Sequence, residues 1–466
     1  MTHCNSLVYP LLSPWSFIYK DMVEMEHDKD WAMQEFSGAK MGDARLAKRL
    51  IKLADRLGNA PSASIPGACN GKAETQAAYR LIDQARADKR GLGWEDVLAP
   101  HMARSEARMA EHPVVLCLQD TTELDFNGQD IDGLGSLSYE AQRGMYVHPT
   151  YAVTPQRLPL GIVDAWMWSR PLDVSESRRW IEGYERQAEL AEKLPETRLV
   201  YVADREGDIL ELMQRAHMLG CPADYLLRAQ HNRCLPQGGK LWQTVLAATP
   251  LGEIEFTLPA RANRPARQIH QTLHAQSVKL PDGQGGTMPV TCVIAREAGA
   301  PPEQKTIEWR FLTNREVVTL EEAAQLIDWY RCRWEIETLF HVLKNGCRIE
   351  ALQLGHIKKL EVALAIYLVV AWRLAHLMRL GRVQPDLPAS AVFDQTEWQA
   401  AWLLAEKPPP KKMPSVRDVV RRIAMLGGFL ARKGDGEPGV KTLWQGFARL
   451  SSFVKGIEHM RSIHAL

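Results

Sequence analysis

Residues 114–122 read VVLCLQDTT and indicate the fold class. The apolar residues that begin this stretch predict a short strand buried on both faces, and Asp120 follows it. A second stretch, LVYVAD at residues 199–204, repeats the pattern and ends in Asp204. Because a charged, helix-like stretch at 174–193 lies between the two strands, the pattern predicts an α/β core whose strands each end in a carboxylate.

Further elements are predicted on both sides of this pair. In chain order they are strands at 146–154 and 160–168, a β-rich region at about 225–313 that looks inserted, and helices at 319–345 and 357–380. Proline-rich breaks at 383–388 and 406–412 separate a helical C-terminal region from the rest. The α/β core is therefore expected to carry a β-rich insertion and helical flanks.

The N-terminal region begins with a basic amphipathic helix. Residues 43–57 read DARLAKRLIKLADRL, with leucines at helical spacing and Arg45 and Arg49 among the basic residues on the other faces. A loop rich in Pro, Ser and Gly at 61–71 leads to a second helix from about Ala73. Two basic helices joined in this way are typical of a DNA-binding module, but helical bundles without that function share the pattern.

The net charge of +1 over 466 residues hides a segregation of charge. Residues 40–90 hold 11 Lys and Arg against 5 Asp and Glu, and residues 407–466 hold 12 against 4, so these flanks carry net charges of +6 and +8. Basic flanks around an acidic centre suit a protein that binds a polyanion at its ends and keeps carboxylates at its centre. The alternative is that both basic runs are solvated helix faces.

Cysteine spacing and hydropathy exclude other classes. The eight cysteines form no CxxC pair, so neither a zinc site nor a disulfide framework is indicated and reduced cytosolic thiols are expected. The longest apolar run, residues 362–372, is about half of the roughly 20 residues that a membrane-spanning helix needs. We expect a cytoplasmic protein without a membrane partner.

The helix predicted after Thr319 carries a polar stripe. Tyr330, Arg333, Glu337 and Lys344 are spaced 3, 4 and 7 residues apart, which places them within an arc of roughly 60° on one helix. Such a stripe presents a phenol, a guanidinium, a carboxylate and an ammonium together. A surface helix with ordinary i,i+4 ion pairs explains the same spacing.

Together with Asp120 and Asp204, Glu337 makes a set of three acids. A single aspartate after a strand is commonly a helix cap or a turn residue. Three carboxylates that converge at one end of an α/β sheet can instead hold two divalent ions for phosphodiester cleavage. Arg333 and Lys344 would then hold nearby phosphates by charge.

These residues resemble a known family. The pattern Tyr330-x2-Arg333-x3-Glu337-x6-Lys344 matches the Y-x2-R-x3-E-x6-K signature of bacterial DDE transposases of the insertion-sequence-four family. Other segments that resemble the family are Gly42-Asp43-x-Arg45, Ala78-Tyr79-Arg80, Asp120-Thr121-Thr122, Gly161 through Trp166 to Arg170-Pro171, Asp204-Arg205-Glu206-x-Asp208 and Leu426-Gly427-Gly428-Phe429. The resemblance extends from about Trp31 to Ile457.

The resemblance implies a ribonuclease-H-like core with Asp120, Asp204 and Glu337 as the DDE triad, which binds two Mg²⁺ or Mn²⁺ ions. It implies that Trp309 stacks on a flipped base during hairpin formation, although a strand tryptophan is more often a core residue. Arg228 matches an arginine that contacts DNA, but Gln230 stands where the family has a lysine.

The resemblance also implies the domain plan and the partners. Arg45, Arg49 and Arg80 match the family's N-terminal DNA-binding module, and Tyr330, Arg333 and Lys344 are expected at the DNA. The implied divisions are a leader at 1–30, disordered or from a misassigned start, a helical DNA-binding domain at 31–100, a catalytic domain at 101–385 and a helical dimerisation domain at 386–466. The basic linker at 407–412 is shorter than in the family.

The implied function is cut-and-paste transposition by a homodimer on double-stranded DNA, with transposon inverted repeats and a target as substrates. Three alternatives remain at this stage. A tyrosine recombinase would use Tyr330 as a nucleophile, a metal-dependent nuclease would cleave without joining, and a domesticated relic would only bind DNA.

Overall fold

The computed structural model describes residues 31–85, 91–170, 177–258, 266–300 and 306–464. The predicted leader, Cys4 and the first residues of the helix predicted from Val174 lie outside the described residues. The seven cysteines within the described ranges are free thiols.

The centre of the molecule is one mixed β-sheet. Its strands are β1 Val114–Gln119, β2 Thr122–Asp125, β3 Gly135–Ser136, β4 Arg143–Val153, β5 Pro159–Trp168, β6 Arg198–Ala203, β7 Asp224–Arg228, β8 Gly252–Leu258, β9 Arg267–Pro281, β10 Thr287–Glu297 and β11 Glu308–Thr313. The order along the sheet is β2-β4-β1-β6-β7-β11-β10-β9-β8, and β3 and β5 also pair with β4. β1, β6 and β7 run parallel, and β4 runs antiparallel to β1. This arrangement fits the ribonuclease-H-like core that the resemblance implies.

The register between β1 and β6 sets the two aspartates side by side. Gln119 pairs with Ala203, the last residue of each strand, and Asp120 and Asp204 follow directly. Both strands are buried over nearly their whole length, as the continuous apolar runs predict. The prediction that the two strands bring their carboxylates to the same edge is confirmed for the backbone.

The strand that carries Asp120 is interrupted rather than ended. Gln119 pairs with Thr150 and Thr122 pairs with Val147, so β1 and β2 keep one register against β4 across the break at Asp120 and Thr121. Pro149 lies between those two partners and has no N–H to donate to a ladder. The chain therefore leaves the ladder at Asp120 and Thr121 without losing the strand direction.

The β-rich region at 225–313 does not form a separate sheet. β11 pairs with β7 and β10 pairs with β11, so the region extends the core sheet at its edge. It also contains a helix, Leu241–Ala247, that we did not predict. The expectation of a distinct subdomain is wrong in this respect, because the pairing of β11 with β7 joins residues about 85 positions apart and leaves no local signal in the sequence.

Helices cover the sheet and form both flanks. They are α1 Trp31–Phe36, α2 Ala44–Asn59, α3 Ile65–Ala68, α4 Lys72–Ile82, α5 Trp94–Ala110, α6 Arg178–Lys193, α7 Leu210–Met218, α8 Leu241–Ala247, α9 Leu320–Arg331, α10 Trp334–His341, α11 Ile357–Val383, α12 Gln395–Leu403, α13 Val416–Leu426 and α14 Val440–His464. Asp43 caps α2 by accepting a hydrogen bond from the Arg45 N–H, which explains where that helix begins.

One helix, α11, is long and apolar enough by length and composition to cross a membrane. In the fold, 94% of its most apolar window is buried inside the protein, where it packs on α5, β5 and α13. It is a buried helix of the core.

A buried polar cluster joins the N-terminal helices to the sheet. Glu35 on α1 accepts hydrogen bonds from Arg108 at 2.8 Å and from His101 Nδ1 at 2.6 Å. His101 Nε2 in turn accepts from the Ile162 N–H of β5 at 3.1 Å, so the neutral ring carries its proton on Nδ1. Because every partner is buried or half-buried, the cluster fixes how α1 and α5 sit on the sheet.

The last two helices approach closely through glycines. A Cβ added at Gly446 of α14 would lie 1.8 Å from the Ile423 carbonyl oxygen of α13, and one at Gly427 would lie 1.8 Å from the Thr442 carbonyl oxygen. The two backbones therefore touch where a side chain has no room.

We predict that Gly446→Ala lowers the melting temperature of the full chain, because the methyl group forces α13 and α14 apart at a cost of about 1–3 kcal/mol. Gly456→Ala is the matched control, since it lies on the same helix and its new Cβ meets no atom within 4 Å. The control should be neutral or stabilising by up to about 1 kcal/mol. Equal melting temperatures for the two variants would contradict the close approach.

Candidate active site

Asp120 and Asp204 project from adjacent strand ends. Asp120 accepts a hydrogen bond from the Thr121 N–H at 2.9 Å and is buried for most of its surface, with 15% of its side chain exposed. Asp204 accepts from the Glu206 N–H at 2.8 Å and so caps the short 3₁₀ turn Arg205–Gly207. Asp204 therefore has the capping role that the sequence also allowed. Only its Oδ1 accepts the capping hydrogen bond, so its Oδ2 is not used for capping.

The polar stripe lies on two helices and not on one. α9 ends at Arg331, α10 begins at Trp334, and a π-helical turn follows at Val342–Gly346. The prediction of one continuous helix is wrong at the junction, where Arg333 occupies the cap position of α10. Arg333 and Glu337 remain one turn apart, whereas the π turn displaces Lys344 from the spacing of an ideal helix.

Arg333 bridges two of the three predicted acids. Its Nη1 donates to Asp120 Oδ2 at 2.7 Å and its Nη2 donates to Glu337 Oε1 at 3.3 Å. The guanidinium is largely buried, with 11% of its side chain exposed, while 42% of the Glu337 side chain is exposed. This bridge links α10 to the end of β1, so it brings Glu337 to the edge where the aspartates lie.

The charges at this edge are coupled. Burial, opposed by Arg333 and reinforced by Asp204 and Glu337, raises the pKa of Asp120 to about 7. Burial would lower the pKa of Arg333, but Asp120, Tyr330 and Glu337 outweigh it and raise that pKa. One guanidinium cannot neutralise three carboxylates, so the edge favours further positive charge.

The donor set fits a divalent cation. Carboxylate oxygens are the ligands that Mg²⁺ and Mn²⁺ prefer. Three carboxylates act on one another here, since the charges of Asp204 and Glu337 contribute to the raised pKa of Asp120. Among the described residues, no group of three or more Asp, Glu, His or Cys side chains is already positioned to hold a metal ion. The Arg333 guanidinium lies between Asp120 and Glu337 and donates to both.

Tyr330 joins the carboxylate edge to a line of aromatic rings. Its ring centroid lies 4.7 Å from that of Phe311, and Phe311 lies 6.5 Å from Trp309. The Arg228 guanidinium lies 5.9 Å from the centroid of the Tyr330 ring. Arg228 of β7 pairs with Phe311 of β11. The Arg333 Nε is buried without a hydrogen-bond partner among the described residues. Burial raises the pKa of Tyr330, and the charge of Arg333 together with a hydrogen bond to Arg228 opposes that rise.

Trp309 is half-buried and stacks on Phe256 of β8, with ring centroids 5.9 Å apart and planes 16° from parallel. One face of the indole is thus covered by the protein. This packing is compatible with a core role and with a base stacked on the other face, so the role of Trp309 stays a prediction.

The remaining predicted residues lie elsewhere. The Arg45 side chain is 83% exposed on α2, Arg49 is half-buried on the same helix, and Arg80 is exposed on α4. Lys344 is half-buried and makes no ion pair with a described acidic residue. Gln230 is exposed, and its backbone N–H donates to the buried Asp208 at 2.6 Å.

Sequence reasoning missed a buried carboxylate beside the site. Glu335 on α10 has 1% of its side chain exposed and forms two hydrogen bonds with Arg379 of α11, one of them 2.8 Å from Nε. The pair holds α10 against α11 and so fixes the helix that carries Glu337. Because Arg379 is 44 residues away in sequence, no local pattern pointed to it.

Comparisons with known proteins agree with this geometry. A family model described as Transposase DNA-binding matches residues 28–87, one described as Transposase DDE domain matches residues 183–372, and one described as Transposase Tn5 dimerisation domain matches residues 369–465. The DDE match includes Asp204 and Glu337 and begins after Asp120.

Among solved structures, the chain is similar to a chain in the cryo-EM structure of a piggyBac transposase synaptic complex with hairpin DNA. The identity is 8% and the TM-score is 0.36, and the match covers 78% of this chain and 57% of that one. The family assignment therefore rests on the three family models. Along the chain they describe a DNA-binding domain, a DDE domain and a dimerisation domain in that order. On this evidence the protein belongs to the Tn5-like DDE transposases.

Proposed function

We propose that this protein is a cut-and-paste DNA transposase that binds transposon inverted repeats, cleaves them through a hairpin and joins their 3′-hydroxyl ends to target DNA. The observation that carries the proposal is the register of β1 with β6, which sets Asp120 beside Asp204, together with the Arg333 bridge to Glu337. Three carboxylates at the edge of such a sheet suit phosphodiester chemistry.

Asp120, Asp204 and Glu337 would hold two Mg²⁺ or Mn²⁺ ions. A bound divalent ion supplies an acidified water for hydrolysis and stabilises the leaving oxygen. The protein's own contribution is to hold the carboxylates at one edge and to exclude bulk water from Asp120, which is mostly buried.

The reaction proceeds by attack at phosphorus. Water hydrolyses one strand at the transposon end and leaves a 3′-hydroxyl. The oxygen of that hydroxyl bonds to phosphorus in the opposite strand, which forms the hairpin and releases the flanking DNA. Water then reopens the hairpin by hydrolysis and frees the 3′-hydroxyl again. Its oxygen bonds to a phosphorus of target DNA, and the bond from that phosphorus to the 3′-oxygen of the target strand breaks.

Other residues at the edge suit the handling of DNA. Arg333 is a largely buried cation at the carboxylate edge, and Lys344 is a half-buried cation on the π turn that follows α10, so both are suited to phosphate. We assign Tyr330, whose ring lies beside Arg228, to the same DNA-binding surface. Arg228, beside Tyr330, extends this positive surface. Trp309 would stack on a base flipped out of the duplex, which offsets the cost of unstacking.

The flanking regions would serve recognition and assembly. We assign residues 31–100 to end binding, with Arg45, Arg49 and Arg80 on phosphates or bases, residues 101–385 to catalysis and residues 386–466 to homodimerisation in a synaptic complex. The two flanking matches support these assignments. We further propose that the protein acts in the bacterial cytoplasm, on nucleoid DNA.

We expect Asp120→Asn, Asp204→Asn and Glu337→Gln each to lower Mg²⁺-dependent cleavage by on the order of a thousandfold while end binding persists, because each change removes an anionic ligand. The assay uses labelled DNA that carries the inverted repeats on either side of the gene for this protein, in the presence of Mg²⁺ or EDTA. Glu316→Gln, an exposed carboxylate, is the control and should retain activity.

Other outcomes of this assay point to other functions. Cleavage that survives Glu337→Gln would mean that the site uses another helix. Binding without any product would favour a DNA-binding relic, and cleavage without joining would favour a nuclease. An adduct that resists denaturation and forms in EDTA would favour a tyrosine recombinase.

We expect Trp309→Ala to slow hairpin formation by about 10- to 100-fold with little change in first-strand nicking, because base stacking contributes about 1–3 kcal/mol. Trp309→Phe should restore part of the rate. If Trp309 acts only in the core, the rates of nicking and hairpin formation and the melting temperature will all fall together. Gel analysis of nicked and hairpin products separates the two results.

We expect Arg49→Ala to weaken end binding and to reduce the slope of log affinity against log salt by about 1, as the loss of one phosphate contact does. Arg56→Ala is the control on the same helix, because Arg56 points to Glu74 and pairs with it at 3.1 Å. That variant should lower stability but leave the salt slope unchanged. An unchanged slope in Arg49→Ala would exclude a phosphate contact by Arg49.

A further inference from the structure

A fully buried histidine contacts both residues that flank Asp120. Thr121 Oγ1 lies 2.8 Å from His148 Nδ1, and His148 Nε2 lies 3.1 Å from Gln119 Oε1. His148 comes from β4, whose register places it opposite Thr121. One imidazole therefore spans the interruption of the strand at which Asp120 sits.

The directions of these hydrogen bonds are determined by the partners. The Gln119 amide donates through Nε2 to Thr150 Oγ1 at 2.7 Å, so its Oε1 must accept. His148 Nε2 consequently donates, and in a neutral ring Nδ1 accepts from the Thr121 hydroxyl. Burial, reinforced by Arg179, lowers the pKa of His148 to about 3, which keeps the ring neutral.

The surroundings leave the ring little freedom. Trp166 and Trp180 contact it edge to face, with ring centroids 5.6 Å and 4.7 Å away. Gln119 is held from the other side as well, because its amide nitrogen lies only 2.1 Å from where a Cβ on Gly183 of α6 would stand. The Tyr201 hydroxyl lies 2.8 Å from Gln119 Oε1 and 2.9 Å from the Trp180 carbonyl oxygen. Gln119, His148, Thr150 and Tyr201 are all fully buried.

The geometry of a strand turns this contact into a constraint on Asp120. Successive side chains point to opposite faces, so Gln119 and Thr121 point one way and Asp120 points the other, toward Arg333. The hydrogen bonds of Gln119 and Thr121 hold the chain on both sides of Asp120, so the direction in which the Asp120 side chain leaves the backbone is fixed.

We propose that His148, acting through Thr121 and Gln119, is a positioning residue that aims the Asp120 carboxylate at the cation it binds. This inference rests on the proposed role of Asp120 as a metal ligand. Hydrogen-bonded neighbours of ligands commonly change metal affinity or activity by about 10- to 100-fold when they are lost. The test therefore compares metal binding with fold and with DNA binding.

The decisive variant is Thr121→Val, which removes the hydroxyl and keeps the shape, with Thr121→Ser as the conservative partner that keeps the hydroxyl. Thr197→Val is the matched control, because Thr197 is a buried threonine whose hydroxyl donates to the Met109 carbonyl oxygen at 3.2 Å, at the opposite end of β6. For each protein we would measure the melting temperature, end binding in EDTA, Mn²⁺ binding to the DNA-free protein by electron paramagnetic resonance, and the Mg²⁺ concentration for half-maximal cleavage.

We expect Thr121→Val to weaken Mn²⁺ binding and to raise the Mg²⁺ requirement by about tenfold, with end binding unchanged. Thr121→Ser should stay close to wild type, and Thr197→Val should lose stability only. If Thr121→Val yields no soluble protein, Thr121→Ala is measured with the same expectations.

A metal requirement in Thr121→Val that equals that of Thr197→Val would overturn the positioning role. Asp120→Asn separates this failure from failure of the proposed function. If Asp120→Asn still cleaves, the assignment of Asp120 as a ligand fails; if it is inactive while Thr121→Val binds Mn²⁺ normally, only the positioning role fails.

Discussion

Two carboxylates stand side by side because β1 and β6 run parallel and end in register at Gln119 and Ala203. That pairing creates electrostatic repulsion at the edge of the sheet, and burial of Asp120 strengthens it, as the raised pKa of this group indicates. The Arg333 guanidinium offsets part of the repulsion and at the same time fixes where α10 begins. The rest of the site depends on this balance, since Glu337 reaches the edge only through the helix that Arg333 starts.

The local parts of this arrangement were predictable from sequence. Continuous apolar runs predicted β1 and β6, and the aspartate after each run predicted which carboxylates the strands carry. Spacing also predicted that Arg333 and Glu337 share a helix face. The junction at Cys332 and Arg333 was not predictable, because both residues keep helical backbone angles and only the hydrogen-bond pattern is broken there.

What the sequence could not reveal joins residues far apart in the chain. The pairing of β7 with β11, the ion pair of Glu335 with Arg379 and the contact of His148 with Thr121 each depend on tertiary placement. The pairing of β1 with β4 places His148 opposite Thr121. That register, in which Gln119 pairs with Thr150, is known only from the fold. Such contacts decide how rigid the site is, whereas local pattern decides which groups it contains.

The two sides of the carboxylate edge differ in how firmly they are held, because Asp120 lies on the sheet and Glu337 lies on a helix. Asp120 lies between the buried Gln119 and the half-buried Thr121, which both contact His148. Glu337 is 42% exposed and is held by a longer hydrogen bond from Arg333 than the one that Asp120 receives. An exposed carboxylate on a helix can adjust its position at small cost, whereas a shift of the Asp120 backbone would break the hydrogen bonds that Gln119 and Thr121 make with His148. The edge thus combines a carboxylate held on the sheet with an adjustable one on the helix, and the buried pair of Glu335 with Arg379 limits how far that helix can shift.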